Sequence, residues 1–347
     1  MYSLLRKVLF VTDPETAHAL ALEGLRLGHS VGAMGILCRS VRQPVTVMGL
    51  EFPNPVGMAA GMDKNGDYID ALGSVGFGFI EVGTVTPRPQ PGNPKPRVFR
   101  IEKANAMINR LGFNNKGVDH MVRQAKRRSF KGILGINIGK NFDTPNDKAI
   151  DDYLICMEKV YPHADYITIN VSSPNTKNLR DLQDADQLDG LLGTLNNRRL
   201  ELAGEHGKRV PLTVKVAPDL DSQQISDIAE VVVRSEFDGL IATNTTISRE
   251  QVKGLRHANE QGGLSGAPVK DRANRVLAAF RAALPKEIAL IGTGGITDGA
   301  DAAEKIRLGA DLVQFYTGFV YRGPDLVADS LKAIASEKTR ASSKARA

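Results

Sequence analysis

The chain of 347 residues predicts a (β/α)8 TIM barrel carrying an N-terminal helical extension. Three observations predict it. Short apolar runs of strand length recur along the chain: Val56–Met62, Phe79–Val85, Ile133–Ile138, Tyr166–Val171, Leu212–Val216, Gly239–Thr243, Ile288–Gly292 and Leu312–Tyr316. Within or just after them stand polar or glycine-rich positions: Asp63-Lys64, Gly83-Thr84, Asn137, Asn170, Lys215, Asn244-Thr245, Gly294-Gly295 and Thr317-Gly318. Segments of helix length separate most of the runs. Repeated βα units close into a barrel whose chemistry sits at the C-terminal ends of the strands, so these scattered residues converge on one rim.

The extension occupies residues 1–40, the barrel 41–337, and a basic tail predicted to be disordered 338–347. Tyr2–Phe10 reads as a short helix with Leu4, Leu5, Val8 and Leu9 as its apolar residues. Thr12-Asp-Pro-Glu15 predicts a second helix start, with Thr12 and Glu15 as a capping box and Pro14 in the first turn. That helix carries Leu20, Gly24 and Leu25 and ends near Gly28. The apolar stretch Val31–Leu37 reads as a loop because of Gly32 and Gly35. Val45–Leu50 and Glu51-Phe-Pro53 form a hairpin around Met48-Gly49 that plugs the N-terminal end of the barrel. Pro87–Arg97 is a long loop, 98–115 holds a small strand pair, and Glu250–Gly266 reads as a mobile glycine-rich loop.

Composition narrows the function less than the motifs do. Apolar residues make up 42% and charged residues 24%, ordinary for a globular protein, and the formal net charge is +6. A basic balance permits anionic partners, either lipid or nucleic acid. Cys38 and Cys156 lie outside any Cys/His cluster, so neither a metal site nor a disulfide framework is expected, and Cys156 reads as core within the helical stretch Tyr153–Val160. No run of 18 apolar residues exists, and the first residues lack the pattern of a signal peptide.

The rim residues point to a ligand with an anionic group and a polar ring. Gly292-Thr-Gly-Gly-Ile296 and Tyr316-Thr-Gly-Phe319 follow the last two strands, where barrels often bind phosphate on backbone N–H groups. Lys215 lies between valines inside a strand, which is costly without a partner. It reads either as a Schiff-base lysine or as a cation against an electron-rich ring. Lys64 follows the small residues Ala59-Ala-Gly61 and suits an acidic group. Asn109, Asn137, Asn170, Asn175 and Asn244 offer paired donors and acceptors. Ser172-Ser-Pro-Asn-Thr176 supplies a hydroxyl with no Gly-x-Ser-x-Gly motif and no evident His/Asp partner, which argues against a hydrolase triad.

In combination these segments resemble the dihydroorotate dehydrogenases, specifically their membrane-associated, quinone-reducing class. The resemblance rests on Ala59-Ala-Gly-Met-Asp-Lys64, Glu81-Val-Gly-Thr-Val-Thr-Pro-Arg-Pro89, Asn109-Arg-Leu-Gly-Phe-Asn-Asn115, Gly135-Ile-Asn-Ile-Gly139, Asn170-Val-Ser-Ser-Pro-Asn-Thr176, Ala242-Thr-Asn-Thr-Thr246, Gly262-Gly-Leu-Ser-Gly266 and Gly292-Thr-Gly-Gly295. It implies FMN bound by Ala60, Gly61, Thr84, Asn137, Asn170, Lys215, Thr243, Gly266, Gly295, Tyr316 and Thr317. It implies dihydroorotate bound by Lys64, Asn109, Arg110, Leu111, Gly112, Phe113, Asn170, Asn175, Asn244 and Thr245. Ser173 takes the place of the catalytic base that removes the C5 proton while C6 gives a hydride to the flavin. The soluble class has cysteine there, so serine favours the quinone class. The resemblance further implies a membrane quinone as final acceptor, membrane contact through the N-terminal helices at the cytoplasmic face of a bacterial inner membrane, and no nucleic-acid partner. Two readings from other classes stand beside it: a phosphate-binding Schiff-base lyase or aldolase using Lys215, and a non-catalytic membrane-binding protein.

Overall fold

The computed structural model describes residues 2–33 and 41–346. Strands β1 (Val45–Val47) and β2 (Leu50–Phe52) form an antiparallel hairpin. The barrel strands are β3 (Val56–Met58), β4 (Phe79–Val85), β7 (Ile133–Ile138), β8 (Tyr166–Asn170), β9 (Leu212–Val216), β10 (Gly239–Ala242), β12 (Ala289–Thr293) and β13 (Leu312–Phe315). They are parallel, neighbour one another in chain order, and close where β13 pairs with β3. These are the eight runs the sequence predicts, with ends moved by a few residues. They were legible because a strand covered on both faces is largely apolar, and every residue from Phe79 to Val85 is buried, with Glu81 and Thr84 as its polar exceptions.

The barrel interior is filled from its N-terminal end. Val47 and Phe52 of the hairpin pack with Phe79, Tyr166, Ala289 and Leu312, each the first residue of its strand. The expected plug is therefore in place, and its turn uses Met48 and Gly49 at positive φ, 53° and 73°. Large rings sit where the neighbouring strand has no side chain. A Cβ on Gly57 would lie 2.3 Å from the Phe79 ring, and one on Gly135 2.2 Å from the Tyr166 ring. Burying a ring such as Phe79 contributes about 1.5–3 kcal/mol.

A second sheet stands apart from the barrel. Strands β5 (Val98–Ile101) and β6 (Ala106–Asn109) are the predicted pair. The sequence reading missed the third strand, β11 (Gly263–Gly266), which pairs antiparallel with β6. Its glycines argue against a strand locally. The open edge of β6 decides otherwise by supplying backbone partners, and Gly263 has no room for a Cβ against Thr245.

Helices α1 (Tyr2–Val11) and α2 (Pro14–Ser30) form the extension. The cap of α2 differs from expectation. Asp13, one residue later than predicted, accepts from the backbone N–H groups of Glu15 and Thr16, both at 3.0 Å, whereas Thr12 Oγ1 donates to the Leu9 carbonyl at 2.8 Å. The carboxylate outcompetes the hydroxyl as an acceptor. Tyr2 Oη donates to the Val320 carbonyl at 2.6 Å, Arg6 to that of Tyr321 at 2.7 Å, and Phe10 meets the Tyr321 ring edge-on at 5.4 Å. Leu22 is buried and Leu25 packs against the main core, so Leu25 does not belong to the outward face. Leu4, Leu5, Val8 and Val11 of α1, Leu20 and Leu27 of α2, and Val31 just beyond it are exposed. The rest of the predicted loop, with Cys38, lies largely outside the described residues. The final helix, Asp325–Arg346, takes in the tail from Lys338 that composition marks as disordered. Buried Leu326, Val327, Leu331 and Ile334 anchor its start, and a tail rich in Ala, Lys and Arg propagates the turn.

Candidate active site

The C-terminal ends of the strands open into a cavity of about 1020 Å³, counted out to its mouth. Ala60, Gly61 and Lys64 line it from the loop after β3, Thr84 from β4, Asn170 and Ser173 from β8 and its loop, and Lys215 from β9. Thr243, Asn244 and Thr245 enter after β10, Gly295 after β12, and Tyr316 and Thr317 after β13. The second sheet closes the top with Asn109, Gly266 and the following Leu111, Gly112 and Phe113, and Asn175 completes the wall.

Two expected residues do not reach the cavity. Asn137 is fully buried beneath it. Its amide donates to Glu81 Oε1 at 2.8 Å, which turns Oδ1 toward the Thr84 hydroxyl and the Asn170 amide. Asn137 thus orients two lining residues. Arg110 points outward: Nη1 meets Glu260 at 2.7 Å, Nη2 donates to the Pro96 carbonyl at 3.0 Å, and the guanidinium lies 4.6 Å from the Phe99 ring centre. Alternation along the chain sends Arg110 to the opposite side from Asn109.

Lys215 is buried, and its ammonium makes no hydrogen bond among the described residues. Burial pulls its pKa down, and the charge of Glu81 works against that pull. Glu81 is itself sunk in the barrel and also accepts from Tyr166 Oη at 3.0 Å and Gln314 Nε2 at 3.2 Å. A desolvated ammonium beside an open cavity is placed to meet negative charge. Lys64 donates to the Gly61 carbonyl at 2.9 Å, and burial brings its pKa down to about 8. Buried Asn175 Oδ1, Thr245 Oγ1 and Thr293 Oγ1, all on the cavity wall, have no hydrogen-bond partner among the described residues. Unpaired groups of this kind are costly unless a ligand satisfies them.

The loop after β12 is a tight glycine turn on the cavity wall. Gly294 and Gly295 hold positive φ, 99° and 78°, and a Cβ on Gly295 would lie 2.3 Å from Lys270 Cα. Only glycine allows that approach, and glycine turns of this kind can present backbone N–H groups to an anion. Ser173 is nearly buried, and its Oγ accepts from the Asn175 backbone N–H at 3.3 Å.

Sequence reasoning missed the residues that α2 brings to this region. Glu15 binds Arg97 through contacts of 3.0 and 3.2 Å. Burial, then the Lys64 charge, lowers the pKa of His18 to about 4. Burial, then Glu15, pushes Tyr316 up to about 12. Glu15 read simply as a helix-start residue and Arg97 as part of a loop, and nothing in either segment signals the other. Ser265 and Thr293 also line the cavity; both lie inside the motifs Gly262-Gly-Leu-Ser-Gly266 and Gly292-Thr-Gly-Gly295, yet neither is among the expected site residues.

Comparison with known proteins agrees with this arrangement. Residues 43–337 match the family model described as dihydroorotate dehydrogenase. The chain is 55% identical over 337 residues to "Dihydroorotate dehydrogenase (quinone)" of Azotobacter vinelandii, covering 97% of each chain. It is 57% identical over 332 residues to the protein of that name in Nitrosospira multiformis, covering 95% of this chain and 94% of that one. The crystal structure of DHODH from Eimeria tenella in complex with ferulenol superposes with a TM-score of 0.85 at 38% identity, covering 95% of this chain and 93% of that one. The chain therefore belongs to the dihydroorotate dehydrogenase family, in its quinone-dependent class.

Proposed function

We propose that this protein oxidises dihydroorotate to orotate in pyrimidine biosynthesis, with FMN as the hydride acceptor and a membrane quinone as the final oxidant. The observation that carries the reading is one cavity combining a tight glycine turn, the buried Lys215 cation, a second cation at Lys64, and Ser173. The residues fit FMN: the Gly294-Gly295 turn suits its phosphate, and the unpaired Thr293 hydroxyl and the Lys215 ammonium suit its polar edges. Bound there, FMN would accept the hydride from C6 of dihydroorotate and pass electrons to the quinone.

The chain's own residues supply the rest. Lys64 would pair with the substrate carboxylate. Asn109, Asn175, Asn244 and Thr245 would hold the ring amides and carbonyls, two of their atoms being otherwise unpaired. Ser173 Oγ would take the C5 proton as the C5=C6 double bond forms, and Lys215 would offset the charge that accumulates on reduction. Family membership favours this role for Lys215 over a Schiff base. Production of orotate with matched reduction of a soluble quinone tests the reading. Orotate without quinone reduction, or neither product from FMN-replete protein, would contradict it.

The extension supports the quinone half of the reaction. Leu4, Leu5, Val8, Val11, Leu20 and Leu27 are exposed on two adjoining helices, and Val31 is exposed just beyond them. No described helix is long and apolar enough to cross a membrane. Such helices can instead lie in the lipid interface, at the cytoplasmic face of a bacterial inner membrane. Tyr316 lines the cavity, and α2 is tied to the barrel rim through the ion pair of Glu15 with Arg97. Deleting residues 1–40 is expected to spare flavin reduction by dihydroorotate while impairing liposome binding and reoxidation by a long-chain quinone. Normal liposome binding and normal turnover of that quinone by the truncated protein would make the extension purely structural.

A further inference from the structure

Three loops of the catalytic rim meet at one largely buried ion pair. Arg180, in the turn after β8, lies 2.9 Å from Asp219, in the loop after β9, with side chains 19% and 13% exposed. The guanidinium spends its donors on three different loops. Nε donates to the Ser172 carbonyl at 3.1 Å, Nη2 to the Thr245 carbonyl at 2.8 Å, and Nη1 to Asp219 Oδ2 at 2.9 Å. Asp219 in turn accepts from the Thr246 hydroxyl and from the Ile247 backbone N–H at 3.1 Å, and Arg272 approaches it to 3.5 Å. Ser172 is also held through its side chain, which accepts from Asn244 Nδ2 at 3.0 Å.

Ser172 immediately precedes Ser173, and Thr245 lies on the facing loop. We propose that Arg180, held by Asp219, is a positioning residue that locks the main chain of Ser172-Ser173 to that of Thr245. The base and the groups that grip the substrate ring then keep one fixed separation. This inference rests on the reading of Ser173 as base and goes beyond it. Arginine is required because its planar fork reaches three acceptors in fixed directions, whereas a lysine ammonium is a point charge on a flexible stem. A base displaced by about 1 Å loses roughly a hundredfold in rate.

The test uses FMN-loaded, full-length R180K, D219N and S173A, with anaerobic flavin reduction followed for dihydroorotate protonated or deuterated at C5. R180K is expected to reduce its flavin about tenfold to a hundredfold more slowly, with a larger C5 isotope effect, because proton transfer becomes the slower event. Orotate binding, read from the flavin spectrum, and reoxidation by quinone should stay within about threefold, a margin that separates positioning from general disruption. D219N should move in the same direction, and the double variant should be no slower than R180K, since the two act as a unit. D219N carries the test alone if R180K fails to fold. Wild-type reduction rates in both variants would overturn the inference. So would an unchanged isotope effect, or an equal loss of orotate binding, because either marks the pair as general scaffolding. S173A reducing flavin at the wild-type rate would instead remove the reading of Ser173 itself, an outcome distinguishable from failure of the clamp.

Discussion

Ser173→Ala is expected to slow flavin reduction by dihydroorotate roughly 10²–10⁴-fold, the range contributed by a positioned proton-transfer group. FMN content and orotate binding should be retained. The Ser173 side chain is nearly buried, its Oγ accepts from the Asn175 backbone N–H, and removing one hydroxyl leaves the lining of the cavity otherwise intact. A serine hydroxyl is a weak acid and a poor base until its surroundings activate it, so wild-type flavin reduction should accelerate as pH rises. Rapid mixing of the oxidised protein with dihydroorotate measures both effects. Near wild-type reduction by the alanine variant would assign the proton to another group.

The second large effect falls on substrate binding. Lys64→Ala is expected to weaken orotate binding about tenfold to a hundredfold, since a hydrogen bond to a charged group contributes roughly 1.5–3 kcal/mol. FMN binding should change far less. The pH dependence gives a sharper signature. Burial lowers the Lys64 pKa from its usual range to about 8. The ammonium is the form that would pair with the substrate carboxylate. Affinity should therefore be flat below about 8 and fall by about tenfold per pH unit above it, and this limb should be absent from the alanine variant. Titrating the flavin spectrum with orotate from about pH 6 to about pH 9.5 checks both points. Unchanged affinity in the variant would place the carboxylate elsewhere.

The barrel was legible because its signal is local. Runs such as Ile133–Ile138 and Leu212–Val216 carry their apolar character and their rim residue within a few positions. Most of the cavity followed from this, because strand order alone brings Lys64, Asn170, Lys215 and Asn244 to one rim. What sequence could not supply depends on partners distant in the chain. β11 is a strand only because β6 offers it an edge. Arg110 sits in the motif beside Asn109 yet points to Glu260, and Asn137 contacts Glu81 rather than the cavity. The pairing of Glu15 with Arg97, and of Arg180 with Asp219, joins segments that share no pattern. The cap of α2 was misplaced by one residue because Thr12 and Asp13 are both good caps, and only geometry selects the carboxylate.

The central claim is that one cavity holds FMN and dihydroorotate together, with Ser173 and Lys215 serving the transfer between them. Anaerobic addition of dihydroorotate to the purified, FMN-replete protein tests it most directly. The flavin absorbance should bleach, with one orotate formed per flavin reduced, and quinone should restore the colour. A preparation that binds no flavin in a flavin-replete host, or whose flavin keeps its oxidised spectrum under excess dihydroorotate, would contradict it.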